Sequence, residues 1–262
     1  MKKISGLVLA FIAASSVKVA AQSSTYRQNV EADTFVSSGA PNVNFGTQGA
    51  MEIAAPTAAQ PRTQVTLLRF DTAALRAAFD TDYGAGNWSV TAVALTLFSS
   101  VATAGQQPNN ASFNKIAAGA FEFDLLGNNN WSENGITWNT LPGILPGIGN
   151  GNTLTPLGTF FWDATGRRSS TWTLNPDLNL LQKISDGEPV TLLGQPTTGS
   201  TVGYLFNTQS LNPAYVNVTA EAVPEPATVA LIAGVLCLIG VSRVYRREGK
   251  SAASPQSLRV SR

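Results

Sequence analysis

Within Asn130-Trp-Ser-Glu-Asn-Gly-Ile-Thr-Trp-Asn139, two indoles flank a carboxylate, Glu133. A sugar is held by an aromatic plane that stacks on its C–H face and by carboxamides and charges that meet its hydroxyls. Trp131 and Glu133 are the candidate glycan contacts. Trp138, Trp162 and Trp172 are further indoles, and the many Asn and Thr residues are hydroxyl partners. The competing reading is packing, because large aromatics dominate sheet cores. An Asn-Gly pair separates Trp131 from Trp138, so the two need not share a face. Trp138, after the β-branched Ile136-Thr137, is expected in the core, and Trp131, after a run of asparagines, at the rim. Glu133 has its own alternative, tying the turn to neighbouring backbone.

Other carboxylates raise other chemistry. Calcium needs about six to eight oxygens, and Glu31, Asp33, Asp124 and Asp163 are the residues that a structural calcium would use, although no loop has the dense Asp/Asn spacing of a dedicated motif. No other cofactor is expected. A glycosidase needs two carboxylates roughly 5–10 Å apart; Glu52, Glu122, Glu133 and Glu188 are available, and nothing in their spacing pairs them. The chain has no histidine, which removes Ser-His-Asp and Cys-His catalysis and His-ligated zinc. The one cysteine, Cys237, lies in an apolar stretch near the end, so the preceding region has no disulfide. The expectation is a protein without a catalytic site. Charged residues are 13% of the chain and the net charge is +1, about half the usual charge content and no footprint for nucleic acid.

Short β-branched and aromatic segments between Gly/Pro/Asn clusters predict an all-β sandwich with one or two short helices. Strands are expected at 30–36, 50–54 (an edge strand), 64–71, 90–98, 113–116 paired with 119–126, 158–163, 169–174, 189–193, 202–206 and 215–218. In the 64–71 strand, Val65, Leu67 and Arg69 face one way and Leu68 and Phe70 the other, so both faces are covered. The strongest alternation runs from Val90 to Phe98. Helices are expected over 72–79, capped by Thr72 with Leu75, Ala78 and Phe79 on one face, and over 177–185.

The two ends read as addresses. Residues 1–21 combine a Met1-Lys2-Lys3 start, an apolar stretch and Val19-Ala20-Ala21, the pattern of a signal peptide cleaved after Ala21; a retained anchor is the alternative. Residues 22–222 are the sandwich. Residues 223–247 hold Pro224-Glu225-Pro226, an apolar run from Ala227 to Val241, and Arg243, Arg246 and Arg247, followed by a polar tail, 248–262. Such a run spans roughly 22–26 Å as a helix, slightly short of the ~30 Å hydrocarbon core, with its arginines on the cytoplasmic side. A plain C-terminal transmembrane anchor is one reading. In its three-part order the segment also resembles the PEP-CTERM sorting signal of exported bacterial proteins, although family members usually stop soon after the arginines. That resemblance implies an exosortase-type enzyme as partner, cutting near Pro224–Pro226 and releasing the protein to the outer surface or extracellular matrix.

The sandwich region resembles a DNRLRE-type β-sandwich, a family related to alginate-binding carbohydrate modules. The matching pieces are Ala32-Asp-Thr-Phe-Val36, Asn42-Val-Asn-Phe-Gly46, Leu67-Leu-Arg-Phe-Asp71, Ala94-Leu-Thr-Leu-Phe98, Asn130–Asn139 and Pro213–Val218. The resemblance implies a jelly-roll-like sandwich, is loosest between Gly143 and Val202, and lacks the arginine-rich motif around Phe206–Ser210. Two functions stand open. The first is a non-enzymatic envelope or matrix protein with a structural or adhesive module; the second is a carbohydrate-binding module holding exopolysaccharide or an external glycan.

Overall fold

Period-two alternation sorts the side chains into inward and outward sets, and eleven antiparallel strands result among the described residues. A computed structural model describes residues 22–223, except 101–104, 106, 107, 149 and 167, together with Gly234. In chain order the strands are β1 (Ser23–Asn29), β2 (Ala32–Ser37), β3 (Ala50–Ala54), β4 (Gln64–Phe70), β5 (Trp88–Phe98) and β6 (Gly119–Leu126). They continue as β7 (Leu154–Trp162), β8 (Ser169–Thr173), β9 (Val190–Pro196), β10 (Gly203–Asn207) and β11 (Tyr215–Ala222). One sheet has the order β1-β11-β5-β8. The other has seven strands, β10-β3-β4-β9-β6-β7 with β2 also on β4. The two sheets close over a core to which Phe35, Leu68, Phe70, Leu95, Phe121, Trp162 and Tyr204 belong. The architecture is an all-β sandwich with two short helices, and Gln22–Ala222 form one compact unit.

Both helices follow from local sequence. In α1 (Ala73–Tyr83), Leu75 and Phe79 are the buried pair one turn apart. The expected Thr72 cap is not made. Thr72 is buried and its hydroxyl donates to the Glu188 carbonyl at 2.7 Å, while Asp71 Oδ1 takes the Ala73 N–H at 3.0 Å. In α2 (Leu178–Asp186), Asp177 caps properly, accepting the N–H groups of Asn179 and Leu180 at 2.9 and 3.1 Å. Gly187 ends α2 in the left-handed region at φ 70°.

Three strand expectations are corrected. The strand expected at 30–36 starts only at Ala32, as β2; Val30-Glu31 join it to β1, an unexpected strand that belongs to the other sheet. β3 is interior, between β10 and β4, rather than an edge; its polar interruption, Glu52, is fully buried. Residues 113–116 form no strand with 119–126, because β6 pairs with β7 and β9. Alternation in β4 did locate a strand covered on both sides: Leu68 and Phe70 face the main core, and Val65 and Leu67 a second one. The signal-peptide segment 1–21 and the sorting residues Pro224, Glu225, Pro226, Arg243, Arg246 and Arg247 lie outside the described residues. Among the described residues no helix is long and apolar enough to cross a membrane.

Candidate functional site

Between β6 and β7 the chain runs from Gly127 to Thr153 without a strand and lies back across the outer face of the large sheet. It can do so because its apolar residues recur between turns: Trp131, Ile136, Leu141 and Ile144 bury against Ala32, Val36, Val65, Leu67, Leu126 and Leu193. Distant side chains then pin it. Asn44 Nδ2 donates to the Glu133 and Ile136 carbonyls, each at 2.8 Å. Arg69 Nη1 donates to the Trp131 carbonyl at 2.8 Å, and its guanidinium lies 5.0 Å from the centre of the Trp131 ring. Gln209 Nε2 donates to both Glu133 oxygens at 3.1 Å. Gly46 passes so close that any Cβ there would run into the Glu133 carbonyl.

Trp131, expected at the rim, is the more deeply buried of the two tryptophans. Trp131 is 7% exposed, and its Nε1 donates to Thr191 Oγ1 at 3.1 Å. Trp138 is half-buried against the same second core. Of the remaining indoles, Trp162 stacks on Tyr204 at 4.5 Å inside the main core, and Trp172 packs edge-on to Phe121 at 5.3 Å. Most asparagines of the loop hold the loop itself. Asn128 Nδ2 donates to Asn152 Oδ1, Asn152 Nδ2 to the Gly143 and Leu145 carbonyls, and Asn129 Nδ2 to the Pro189 carbonyl.

What the loop leaves open is a depression of about 490 Å³. The accessible edge of Trp131 and the side chains of Ile136 and Ile144 form its apolar part, and Asn130, Ser132 and Thr140 its polar part. Thr140 is engaged with Thr137. Asn130 and Ser132, both exposed, have no side-chain hydrogen-bond partner among the described residues. A small apolar floor beside unpaired carboxamide and hydroxyl groups suits a polyol better than an apolar or charged ligand. Asn44 and Arg69, which shape this site from elsewhere in the chain, showed only within pieces of family resemblance, Asn42–Gly46 and Leu67–Asp71, and Gln209 carried no sequence signal for it.

Among the described residues no three of Asp, Glu, His or Cys gather to hold a metal ion. Of the four calcium candidates, Glu31 pairs with Arg69 at 3.2 Å, and Asp163 with Arg168 at 2.7 Å. Asp33 is buried and accepts the Gln209 N–H at 2.7 Å; burial pushes it up to about 7 against that bond, with Glu133 adding to the rise. Asp124 shares Gln195 Nε2 with Glu122, at 2.9 and 3.0 Å, and burial raises it. Glu133 is raised by burial, with Gln209 and Arg69 opposing, and Glu188 pairs with Lys183 at 3.0 Å. Glu52 accepts the Asn114 N–H at 2.7 Å, and burial pushes it up to about 8. Glu52 Oε1 and Gln64 Oε1 are buried with no partner among the described residues.

The family model of carbohydrate-binding module family 96 matches residues 24–148, a little under half of the chain. The match runs from β1 into the loop that covers the large sheet, and so includes Trp131 and Glu133. No curated protein matches the chain.

Proposed function

We propose that the sandwich is a non-catalytic carbohydrate-binding module, and that the depression over the large sheet is where it meets a glycan. The observation that carries this reading is the pairing of an apolar floor with Asn130 and Ser132, two polar side chains without protein partners. The similarity to a carbohydrate-binding family over residues 24–148 supports it, and moves glycan binding ahead of the purely structural role that the sequence put first. Trp131 would offer an edge and Glu133 would act through Gln209 and the loop backbone, rather than as a stacking platform and a direct contact. The module is exported by the segment 1–21 and sorted through Pro224–Arg247 by an exosortase-type enzyme, which would place it at the outer surface or in the extracellular matrix, bound to exopolysaccharide.

Affinity electrophoresis of the full-length protein through gels containing neutral and acidic polysaccharides tests the site. Wild type should be retarded by at least one polymer, and the double variant Asn130→Ala, Ser132→Ala should lose that retardation at an unchanged melting temperature. Retardation unaffected by the double variant would sink the placement of the site, and no retardation on any polymer would sink the binding reading.

A further inference from the structure

The large sheet is covered on its outer face, whereas on the four-stranded sheet Arg27, Asn29, Thr171 and Thr173 are exposed. Its inward residues, such as Val93, Leu95, Val216 and Val218, enter the main core, so the alternate residues point outward. Register places them in rows. Asn29 lies opposite Tyr215, Tyr215 opposite Thr96, and Thr96 opposite Thr171; in the next row Arg27 lies opposite Asn217, Asn217 opposite Ala94, and Ala94 opposite Thr173. Ala94 is the smallest side chain of its row, and the four strands span roughly 14 Å across the face, room for more than one sugar ring. At one end Phe98 leads into a further depression of about 440 Å³.

Arg27 is the unusual member of this face. Its guanidinium lies 3.7 Å from the centre of the Tyr215 ring, and its Nε donates to Asn29 Oδ1 at 2.9 Å. Those two contacts fix the plane of the group while leaving both terminal nitrogens without an acceptor among the described residues. Arg62, Arg69, Arg76 and Arg168 differ, since each gives terminal nitrogens to protein carbonyls or to a carboxylate. A guanidinium held flat with its fork free is shaped for bidentate pairing with a planar or tetrahedral anion. The acidic residue of the face, Glu221, sits at its far end opposite Ser23.

We propose that this outward face is a second glycan surface, taking an anionic polysaccharide whose carboxylate or sulfate groups pair with Arg27 while the chain lies across the row that holds Ala94. The proposal rests on the carbohydrate-binding reading and extends it to strands β8 and β11, which lie beyond the matched residues. The full-length protein is run through gels of polygalacturonate (carboxylate), carrageenan (sulfate) and dextran (neutral), with Arg27→Ala, Tyr215→Ala and, as a charge-matched control, Lys115→Ala. Retardation on at least one anionic polymer, weakened about tenfold or more by Arg27→Ala and by Tyr215→Ala but not by Lys115→Ala, is expected; which polymer responds identifies the anion. Equal weakening by Lys115→Ala would reduce the effect to net charge and overturn the proposal. So would anionic retardation indifferent to Arg27→Ala yet lost in Asn130→Ala, Ser132→Ala, an outcome that leaves the first site standing. Absence of retardation on every polymer removes both.

Discussion

Glu52 sits in an environment far from what water would offer it. It is fully buried, its carboxyl is pushed up to about 8, and its free oxygen and that of Gln64 have no hydrogen-bond partner among the described residues. A carboxyl that binds its proton more tightly folded than unfolded stabilises the fold below its unfolded value, near 4.5, and that stability is lost as pH rises through the folded value. Asp33, pushed up to about 7, adds to the same trend. Urea midpoints should therefore fall between pH 5 and pH 9. Glu52→Gln should remove about half of that fall, on the order of 3–5 kcal/mol at the alkaline end; an unchanged slope would show that Glu52 ionises freely. Trp131 makes a second test. With its ring buried and its N–H on Thr191, Trp131→Ala should cost about 3–5 kcal/mol. Thr191→Val, which strands the indole N–H, should cost about 1–3 kcal/mol. Trp138→Ala should cost less than Trp131→Ala in the same denaturation series, and the reverse order would restore the assignment expected from sequence.

At the scale of elements, β5 anchors the small sheet between β11 and β8, and Leu95 is wholly buried in it. Leu95→Ala should cost about 2–5 kcal/mol, and a loss within about 0.5 kcal/mol would mean that the site is less filled than its burial implies. Asn44 tests the covering loop, since one carboxamide holds two of its carbonyls. Asn44→Ala should raise hydrogen exchange from Glu133 to Ile144 and weaken retention on polysaccharide, with amides in β4 and β9 still protected; equal deprotection of those strands would mean that the loop is no separable element. β5 was legible because its alternation is strong and each face meets one environment. β4 was legible for the opposite reason, apolar residues on both faces. β1 was not, since Ser23–Asn29 is polar on its outward side and has few apolar residues on the other. The misplaced strand at 113–116 looks β-like because Phe113 and Ile116 are buried, yet Asn114 gives its backbone N–H to Glu52 rather than to a ladder. The candidate site was legible in its indole and carboxylate but not in its form. Arg69, Thr191 and Gln209 reach Trp131 and Glu133 from separations of at least 60 residues, and spacing within one motif carries no trace of such partners.

For the whole molecule, the sorting proposal predicts a difference in place and mass. Pro224→Ala with Pro226→Ala should trap the protein in the membrane fraction at its unprocessed mass, with its melting temperature unchanged. Unchanged distribution and mass would leave a plain anchor. Tethering beyond Val223 would also set the direction in which the sandwich bears load. The chain leaves it through β11, which is hydrogen-bonded along its length to β1 on one side and β5 on the other, both antiparallel. A glycan dragging on Arg27 of β1 or on the row through Ala94 of β5 grips those two neighbours. Force between glycan and tether would then run along β11 in shear, so that the ladder bonds on its two edges share the strain instead of parting one after another as they do when a hairpin is peeled. A polysaccharide pulled by flow would meet the mechanically stiffer axis of the fold.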